Sequence, residues 1–540
     1  MDKQRGIKNV TVSILFKVVL LIGSLLVRRY LIMYLGKDVN GLNSLYVSIL
    51  DVLSVAELGI DGAIIFCMYK PVVEGDEVKV SALYGLFTRL YLIFAGVIAV
   101  CGCALMPALP YLAKDHAGTG VNLYLTFGLM LVSVVLSYTF SSKTSLINAY
   151  KNNYVSTTIN STSTLVRYAL QMTVLILTRS FVWYLVCRII AVAVQWGITE
   201  IVARKKYGNI IKNRQRVDTE TKKAVTKNVT AMFMHKVGYV LVNTVDSIVI
   251  SAFIGVGTLG GYTNYTAIVT SMVSVITLCF TPLTSVIGHM FVEESRENAN
   301  RYFNFFHTFN FLLAVVFFLG YYAVIDNLIA IIFSQDLVMS LRVIPMVITV
   351  NYFIQFMRRS TILFRDAAGA FYYNRWMPIF EGVLNIALSI LFVKIFPEGY
   401  NVVGVIVATI ITNLFICHVI DPLVLHRHAL ERSPKIYYVR NYVYIAVFCA
   451  RLVALHFCHV NLSSQWLGFL ANGFIAVGIA LPVCVIAALL NRDFRHYSGV
   501  ALRKFKARLF RRKQAVSVQA VNQTDGQEAN GEIDKEDKEG

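Results

Sequence analysis

The sequence predicts an all-α polytopic membrane protein of about 14 transmembrane helices. They form two six-helix lobes related by a pseudo-two-fold axis, plus two C-terminal helices. Three observations carry this reading. Apolar runs of 18 or more residues recur along the 540-residue chain, each long enough to cross a hydrocarbon core of ~30 Å as a helix. Hydrophobic residues make up 56% and charged ones 15%, with a mean hydropathy of +0.62, whereas a soluble domain carries about 25% charge. Lastly, motifs of the first half return in the second at a constant offset.

In chain order the spans fall at 10–33, 42–68, 83–109, 121–147, 159–178, 181–203, 229–254, 262–288, 303–333, 337–357, 378–396, 401–421, 437–459 and 465–490. The first is too long for a signal-peptide core, and no small-x-small site follows it, so no cleavable leader is expected. Between spans five and six only Thr178-Arg179-Ser180 breaks the apolar run.

The loops orient the chain. With the N-terminus inside, the inner segments include Met1–Asn9, Arg204–Asn228, Arg358–Trp376, Pro422–Arg440 and the tail after Asn491. They hold nearly all the loop lysines and arginines, against Lys37, Lys114 and Arg179 outside. This positive-inside asymmetry places both termini in the cytoplasm of a multi-pass plasma-membrane protein. It also accounts for the net charge of +19 without a nucleic-acid partner.

The basic linker 204–228 separates an N-terminal lobe, 1–203, from a C-terminal lobe, 229–421. After span one come Tyr34-Leu35-Gly36 and then Gly41-Leu42-Asn43-Ser44; after span seven come Phe253-Ile254-Gly255 and then Gly261-Tyr262-Thr263-Asn264. Asn148–Tyr154, after span four, corresponds likewise to Gly369–Trp376, after span ten. Both halves start on the same side, so the repeat is parallel, about an axis along the membrane normal. Spans 13 and 14 (437–490) lie outside it. Residues 491–513 read as a basic amphipathic cytoplasmic helix against membrane lipid, and 514–540 as a disordered acidic tail.

Charge inside the spans is the informative chemistry. A cation at the bilayer centre costs roughly 2.5–3.5 kcal/mol on insertion scales, yet span one carries Lys17, Arg28 and Arg29. Lys17 and Arg28 lie within about 20° of each other on a helical wheel, on one stripe with Ser13 and Ser24. In span two Ser54, Glu57 and Asp61 cluster within about 60°, and in span seven His235, Tyr239, Asn243 and Asp246 within about 80°. Arg89, Arg167, Arg188, Glu381, Lys394 and Arg451 add further charges. Such residues face a wet cavity or pair with one another. Arg28 or Arg29 with Glu57 or Asp61 is the pairing the first hairpin offers. Pairing or snorkelling is the expectation for Arg188, Lys394 and Arg451.

Other chemistries are not expected. The nine cysteines are scattered and read as small hydrophobes. His456 and His459 lack the further ligands that a zinc site needs, so no metal is expected. No P-loop and no Ser-His-Asp set appears, so the chain is not expected to be an enzyme or to hold a cofactor. Pro107, Pro110, Pro282, Pro345 and Pro482 lie in or beside spans, where they bend helices.

Several motifs together resemble a known family. They are Arg28-Arg29-Tyr30 with Tyr34-Leu35-Gly36 and Asn40-Gly41-Leu42; Ala56-Glu57-Leu58-Gly59-Ile60 leading to Met68-Tyr69-Lys70-Pro71; Asn243-Thr-Val-Asp246 with Phe253-Ile-Gly255 and Gly261-Tyr262; and Asp366-Ala-Ala-Gly369, Asn374-Arg375-Trp376 and Glu381-Gly-Val-Leu-Asn385. The chain resembles the oligosaccharide (polysaccharide) flippases of the multidrug/oligosaccharidyl-lipid/polysaccharide exporter superfamily. The resemblance implies two V-shaped six-helix lobes that move an undecaprenyl-diphosphate-linked oligosaccharide from the inner to the outer leaflet. It also implies coupling to H+, Na+ or the membrane potential, and two lobes around a polar cavity with bendable helices suit alternating access. On that reading Arg28, Arg29, Arg89 and Arg167, with Lys17, are the cavity cations for the diphosphate, since arginine's fork matches phosphate oxygens. Glu57, Asp61 and Asp246, with Asn243, are the ion-coupling or pairing residues. A cation-coupled multidrug antiporter of the same superfamily and a flippase for the peptidoglycan lipid precursor are the alternatives. A membrane-embedded glycosyltransferase is disfavoured by the short outside loops.

Overall fold

The structure is a computed structural model that describes residues 3–54, 65, 67–150, 152–212, 217, 240, 244–280, 283–500 and 503. All regular structure among them is helical. Helix Lys3–Leu53 (α1) is bent at Gly36, whose φ of 86° and ψ of 168° leave the helical region; a positive φ of this kind favours glycine. Glu77–Leu105 (α2) starts at an Asp76 cap, whose side chain accepts from the Lys79 N–H at 2.9 Å. It runs into a 3₁₀ turn at Met106–Ala108 and a last turn at Leu109–Leu112, opened by Pro107 and Pro110 respectively. Leu123–Ala149 (α3), Asn153–Thr178 (α4) and Phe181–Lys212 (α5) complete the first bundle. The short break after Thr178 is a real helix boundary: Arg179 takes φ 49° and its N–H caps Leu175 O.

The second half begins with Thr244–Ile254 (α6), which ends in a π turn before Gly255, at φ 146°. Val256–Phe280 (α7), Leu283–Glu293 (α8), Arg296–Ile332 (α9), Val343–Met357 (α10), Arg359–Ala367 (α11) and Met377–Ile395 (α12) follow. Asn401–Leu430 (α13) carries π turns at Asn413–Cys417 and His426–Leu430. Lys435–Cys458 (α14) and Gln465–Leu490 (α15) close the sequence of spans.

Nine helices among the described residues are long and apolar enough to cross a membrane, the first being the bent α1 with two predicted spans. The other predicted spans fall on α4, rich in Ser and Thr, on the shorter α6 and α10, and on α7. Some ends differ from the hydropathy reading. The expected linker start at 204 is still helix, because α5 continues to Lys212 and Arg204 pairs with Glu200 one turn back. α9 starts at Arg296, where the Ser295 side chain caps the Asn298 N–H. α13 passes through Pro422, with the two π turns on either side of the proline.

Helices α2 to α5 pack on one another and α4 also on α1, whereas α9, α10, α12 and α13 form the second bundle. α14 and α15 lie against α9. Stacked rings hold α14 there: Phe448 on Phe353 at 3.6 Å and Tyr444 on Phe311 at 3.9 Å between centroids. The two bundles meet chiefly where α1 crosses α7. Past α15 the chain is helical over 492–500, with Phe494 stacked on Phe305 and Tyr497 on Tyr302. Apart from Arg503, the rest of the expected amphipathic helix and the acidic tail lie outside the described residues.

Candidate functional site

The crossing of α1 and α7 is built by the repeat. Gly36 and Gly255 make equivalent bends, 219 positions apart. Gly41 and Gly260, at the same offset, let the backbones touch. A Cβ on Gly41 would sit 1.8 Å from Val256 O, and one on Gly260 would sit 2.1 Å from Lys37 O. Val256 stands to Lys37 as Gly260 stands to Gly41, so the contact is two-fold symmetric. Ser44 Oγ donates to its repeat mate, Thr263 Oγ1, at 3.2 Å. Asn40 Nδ2 donates to Gly260 O and to Asn264 Oδ1, both at 3.2 Å. Beside this crossing, Val256 N donates to Lys114 O, Lys114 N to Ser251 O and Lys114 Nζ to Phe253 O.

Arg28 reaches the same crossing. It is half-buried, and its Nη1 donates to Asn264 Oδ1 at 3.2 Å. It is also one of three cations gathered in the first bundle: Arg167 of α4, Arg188 of α5 and Arg28 all lie within Coulombic reach of the buried Tyr184 hydroxyl. Gln171 Nε2 holds the Tyr184 backbone carbonyl at 3.2 Å. Arg167 lies over the Tyr168 ring at 5.2 Å, and that ring packs against α1 at Gly23. Asp51 acts on Arg188 electrostatically. No ion pair within 4 Å involves Arg28, Arg167 or Arg188 among the described residues. Three such cations on adjoining helices, with Asp51 as a counter-charge to Arg188, are a candidate site for an anion.

The second bundle carries a different arrangement. Asp246 is buried on α6, and both its carboxylate oxygens accept from Thr409 Oγ1 of α13, at 3.0 and 3.2 Å. Asn385 Nδ2 of α12 donates to the same Thr409 oxygen at 2.9 Å. Asn385 Oδ1 and Ser389 Oγ, one turn on, are buried and have no hydrogen-bond partner among the described residues. Thr409 thus links the Asp246 carboxylate of α6 to Asn385 of α12. Further along α13, Asp421 is fully buried and takes Arg358 Nη2 at 2.8 Å, Arg358 Nε at 3.2 Å, Arg365 Nη1 at 2.5 Å and Asn374 Nδ2. Glu381 adds a longer contact to Arg358, at 3.7 Å.

The structure therefore brings together only part of the residues singled out from the sequence. Arg28 and Arg167 both lie near the Tyr184 hydroxyl. Arg29 is exposed and donates to Ile331 O of α9 at 3.3 Å. Lys17 and Arg89 are exposed and do not join the Tyr184 cluster. Glu57, Asp61 and Asn243 lie outside the described residues, and with them the pairing expected for Arg28 or Arg29. Arg188, for which the sequence predicts pairing or snorkelling, lies beside Tyr184 with Asp51 acting on it, and nothing in the sequence pattern marks Tyr184 or Thr409. Only Asn264 carried a signal, as part of the repeated motif. His456 and His459 are engaged by Tyr322 and Asn472, and no group of three metal-type ligands occurs among the described residues.

No family model matches the sequence, and no curated protein matches it. Solved structures do. The chain is similar to the lipid II flippase MurJ in an inward closed conformation, with a TM-score of 0.56 and 14% identity, over 90% of this chain and 99% of that one. It is also similar to an inward-facing multidrug resistance MATE family transporter of the MOP superfamily, with a TM-score of 0.54 and 14% identity, over 75% of this chain and 97% of that one. At that identity the likeness establishes the fold alone, an all-helical polytopic membrane architecture shared with those structures.

Proposed function

We propose that this chain is a flippase that carries an undecaprenyl-diphosphate-linked oligosaccharide from the inner to the outer leaflet for cell-surface polysaccharide synthesis. The observation that carries the reading is the gathering of Arg28, Arg167 and Arg188 around Tyr184 with no ion pair among the described residues. An arginine cluster inside a membrane is costly, and a diphosphate offsets that cost through charged bidentate hydrogen bonds. A drug antiporter that takes cations would gain nothing from three arginines. Lys17, Arg29 and Arg89 stay in the proposal as exposed cations along the route to the cluster. Asp246, with Thr409 and Asn385, is the proposed seat of a coupling proton or sodium ion; Glu57, Asp61 and Asn243 remain candidates for the same role. The loop charges orient both termini toward the cytoplasm, so the α1–α7 crossing lies at the outer side. The lobes are proposed as 1–203 and 229–421.

A flippase for the peptidoglycan lipid precursor is the second reading, favoured by one observation: the fold likeness to a lipid II flippase extends over 90% of this chain. Proteoliposomes with labelled lipid-linked oligosaccharide in one arm and lipid II in the other separate the two. Transport of the oligosaccharide lipid that collapses in Arg28→Ala and Arg188→Ala is the expected result. Undiminished transport in both variants overturns the cationic-site mechanism.

A further inference from the structure

Arg28 belongs to two structures at once. Its guanidinium stands in the cation cluster with Arg167 and Arg188, and its Nη1 donates to Asn264 Oδ1 at the α1–α7 crossing. That oxygen also accepts from Asn40 Nδ2. Arginine has only donors, so it holds the Asn264 amide with its oxygen toward α1. In this arrangement Asn264 Nδ2 and Asn40 Oδ1, both on fully buried residues, have no hydrogen-bond partner among the described residues. A buried amide group left unpaired is a penalty on the closed crossing. The packed crossing thus carries two unpaired buried amide groups, and one of the donors that hold it is a cation that an anion competes for.

We propose that Asn264 is the positioning residue through which the cationic site controls the outer seal. Resting on the flippase reading above, the device works as follows. With the site empty, Arg28 points to Asn264 and the Gly41–Gly260 crossing stays closed. When a diphosphate takes the Arg28 guanidinium, Asn264 loses its charged donor while keeping Asn40. The Ser44–Thr263 and Asn40–Gly260 bonds are then left to hold the crossing against its unpaired amide groups, and the outer ends separate. Cargo occupancy thus lowers the barrier to outward opening, and an empty carrier stays sealed.

The Ser44–Thr263 contact, 3.2 Å between side-chain oxygens, reports the seal. The test uses the full chain with Ser44→Cys and Thr263→Cys in nanodiscs, oxidised with copper phenanthroline. The 44–263 disulfide is followed by mass spectrometry, with and without undecaprenyl diphosphate, and binding of that lipid is measured in parallel. In the parent pair the lipid is expected to slow disulfide formation by about tenfold, the scale of one charge-assisted hydrogen bond. Adding Asn264→Ala removes this dependence while the lipid still binds. Asn264→Asp keeps acceptors for both donors and adds a charge that competes for Arg28, so it is expected to speed disulfide formation and weaken lipid binding. Bound lipid that leaves the rate unchanged in the parent pair, or a full lipid effect in Asn264→Ala, overturns the coupling but not the cationic site. An Asn264→Asp variant with parental rate and binding also overturns it. Failure of the lipid to bind the parent pair overturns the cationic-site reading and the coupling with it.

Discussion

Gly41 and Gly260 face each other across the α1–α7 crossing, each too close to the other helix's backbone to carry a Cβ. A methyl group on either must push the helices apart or unseat the Ser44–Thr263 bond. Gly→Ala within a helix otherwise favours the helix by about 1 kcal/mol, and overpacking costs about 1–3 kcal/mol. Gly41→Ala and Gly260→Ala are thus expected to fold with a lowered melting temperature and to open the crossing. The measurement is labelling of a cysteine at position 44 by a membrane-impermeant thiol reagent from outside, which rises several-fold in both variants. Parental labelling in both would show that the contact is not a seal.

The two-fold nature of this crossing was legible in the sequence as the offset of Gly36 and Gly255, because a backbone that must bend or touch keeps its glycines. The helical class and span order were legible too, since lipid imposes apolar runs that hydropathy detects. Span ends were less so: a helix with charged surface turns, such as α5 through Arg204, continues past its apolar stretch. The cation cluster was half legible. Arg28 and Arg167 stand out as charges within spans, but whether Arg188 snorkels or turns inward depends on the rotation of α5 about its axis, which tertiary packing sets. The amide and hydroxyl partners, Asn264 and Thr409, have neutral side chains common in any helix and gain meaning only from what lies opposite.

Asp421 shows what a paired intramembrane charge looks like in the same molecule. Two arginines and Asn374 converge on it at full burial. Removing one partner of a buried pair costs about 3–5 kcal/mol, moderated here because Arg358 also reaches Glu381 and Arg365 also reaches Asp366. Asp421→Asn is expected to lower the melting temperature in detergent by several degrees, and adding Arg365→Gln to recover part of it. A double variant no better than the single would mean that the arginine is not stranded.

His459, in the connection between α14 and α15, predicts an acid sensitivity. Burial, with Arg342 and His456 nearby, pushes its imidazole down to about 4, and Asn472 Nδ2 donates to Nε2 at 3.2 Å, which requires a bare nitrogen. Between the ordinary histidine value of about 6.5 and 4, the unfolded chain binds a proton that the folded chain refuses. Stability therefore falls as pH drops through that window and is unaffected above it. Melting temperatures from pH 8 to pH 4 are expected to show a shallower acid slope in His459→Gln than in the parent.

Asp246 and Thr409 are expected to separate coupling from cargo binding. Asp246→Asn keeps the shape and the Thr409 contact but removes the charge that would hold a proton or sodium ion. Transport by that variant should lose its dependence on the ion gradient and fall by about tenfold or more, while undecaprenyl diphosphate binding stays within about twofold of the parent. Gradient-dependent transport surviving in Asp246→Asn would move the coupling role to another carboxylate, Glu57 and Asp61 being the first to examine.

The arginine cluster makes the most discriminating prediction, because charge and geometry can be varied apart. Lysine at positions 28, 167 or 188 preserves the charge, so the long-range attraction for an anion remains. It loses the planar fork, and with it the paired hydrogen bonds to phosphate oxygens. If the cluster only sets the electrostatic potential of a cavity, each lysine variant transports like the parent and each alanine variant fails. If the cluster grips a diphosphate, lysine at 28 or 188 is expected to lose about tenfold in affinity, the scale of one charge-assisted hydrogen bond. Alanine is expected to lose more, and the affinity of every variant to fall as ionic strength rises. Arg167 lies over the Tyr168 ring at 5.2 Å, a cation–π contact that lysine at this position can also make, so there the loss reads out the fork alone. Binding of undecaprenyl diphosphate by the three lysine and three alanine variants distinguishes the two cases, with undecaprenol as the control: a defect confined to the diphosphate places the headgroup at the cluster, and an equal defect for both lipids removes it from there.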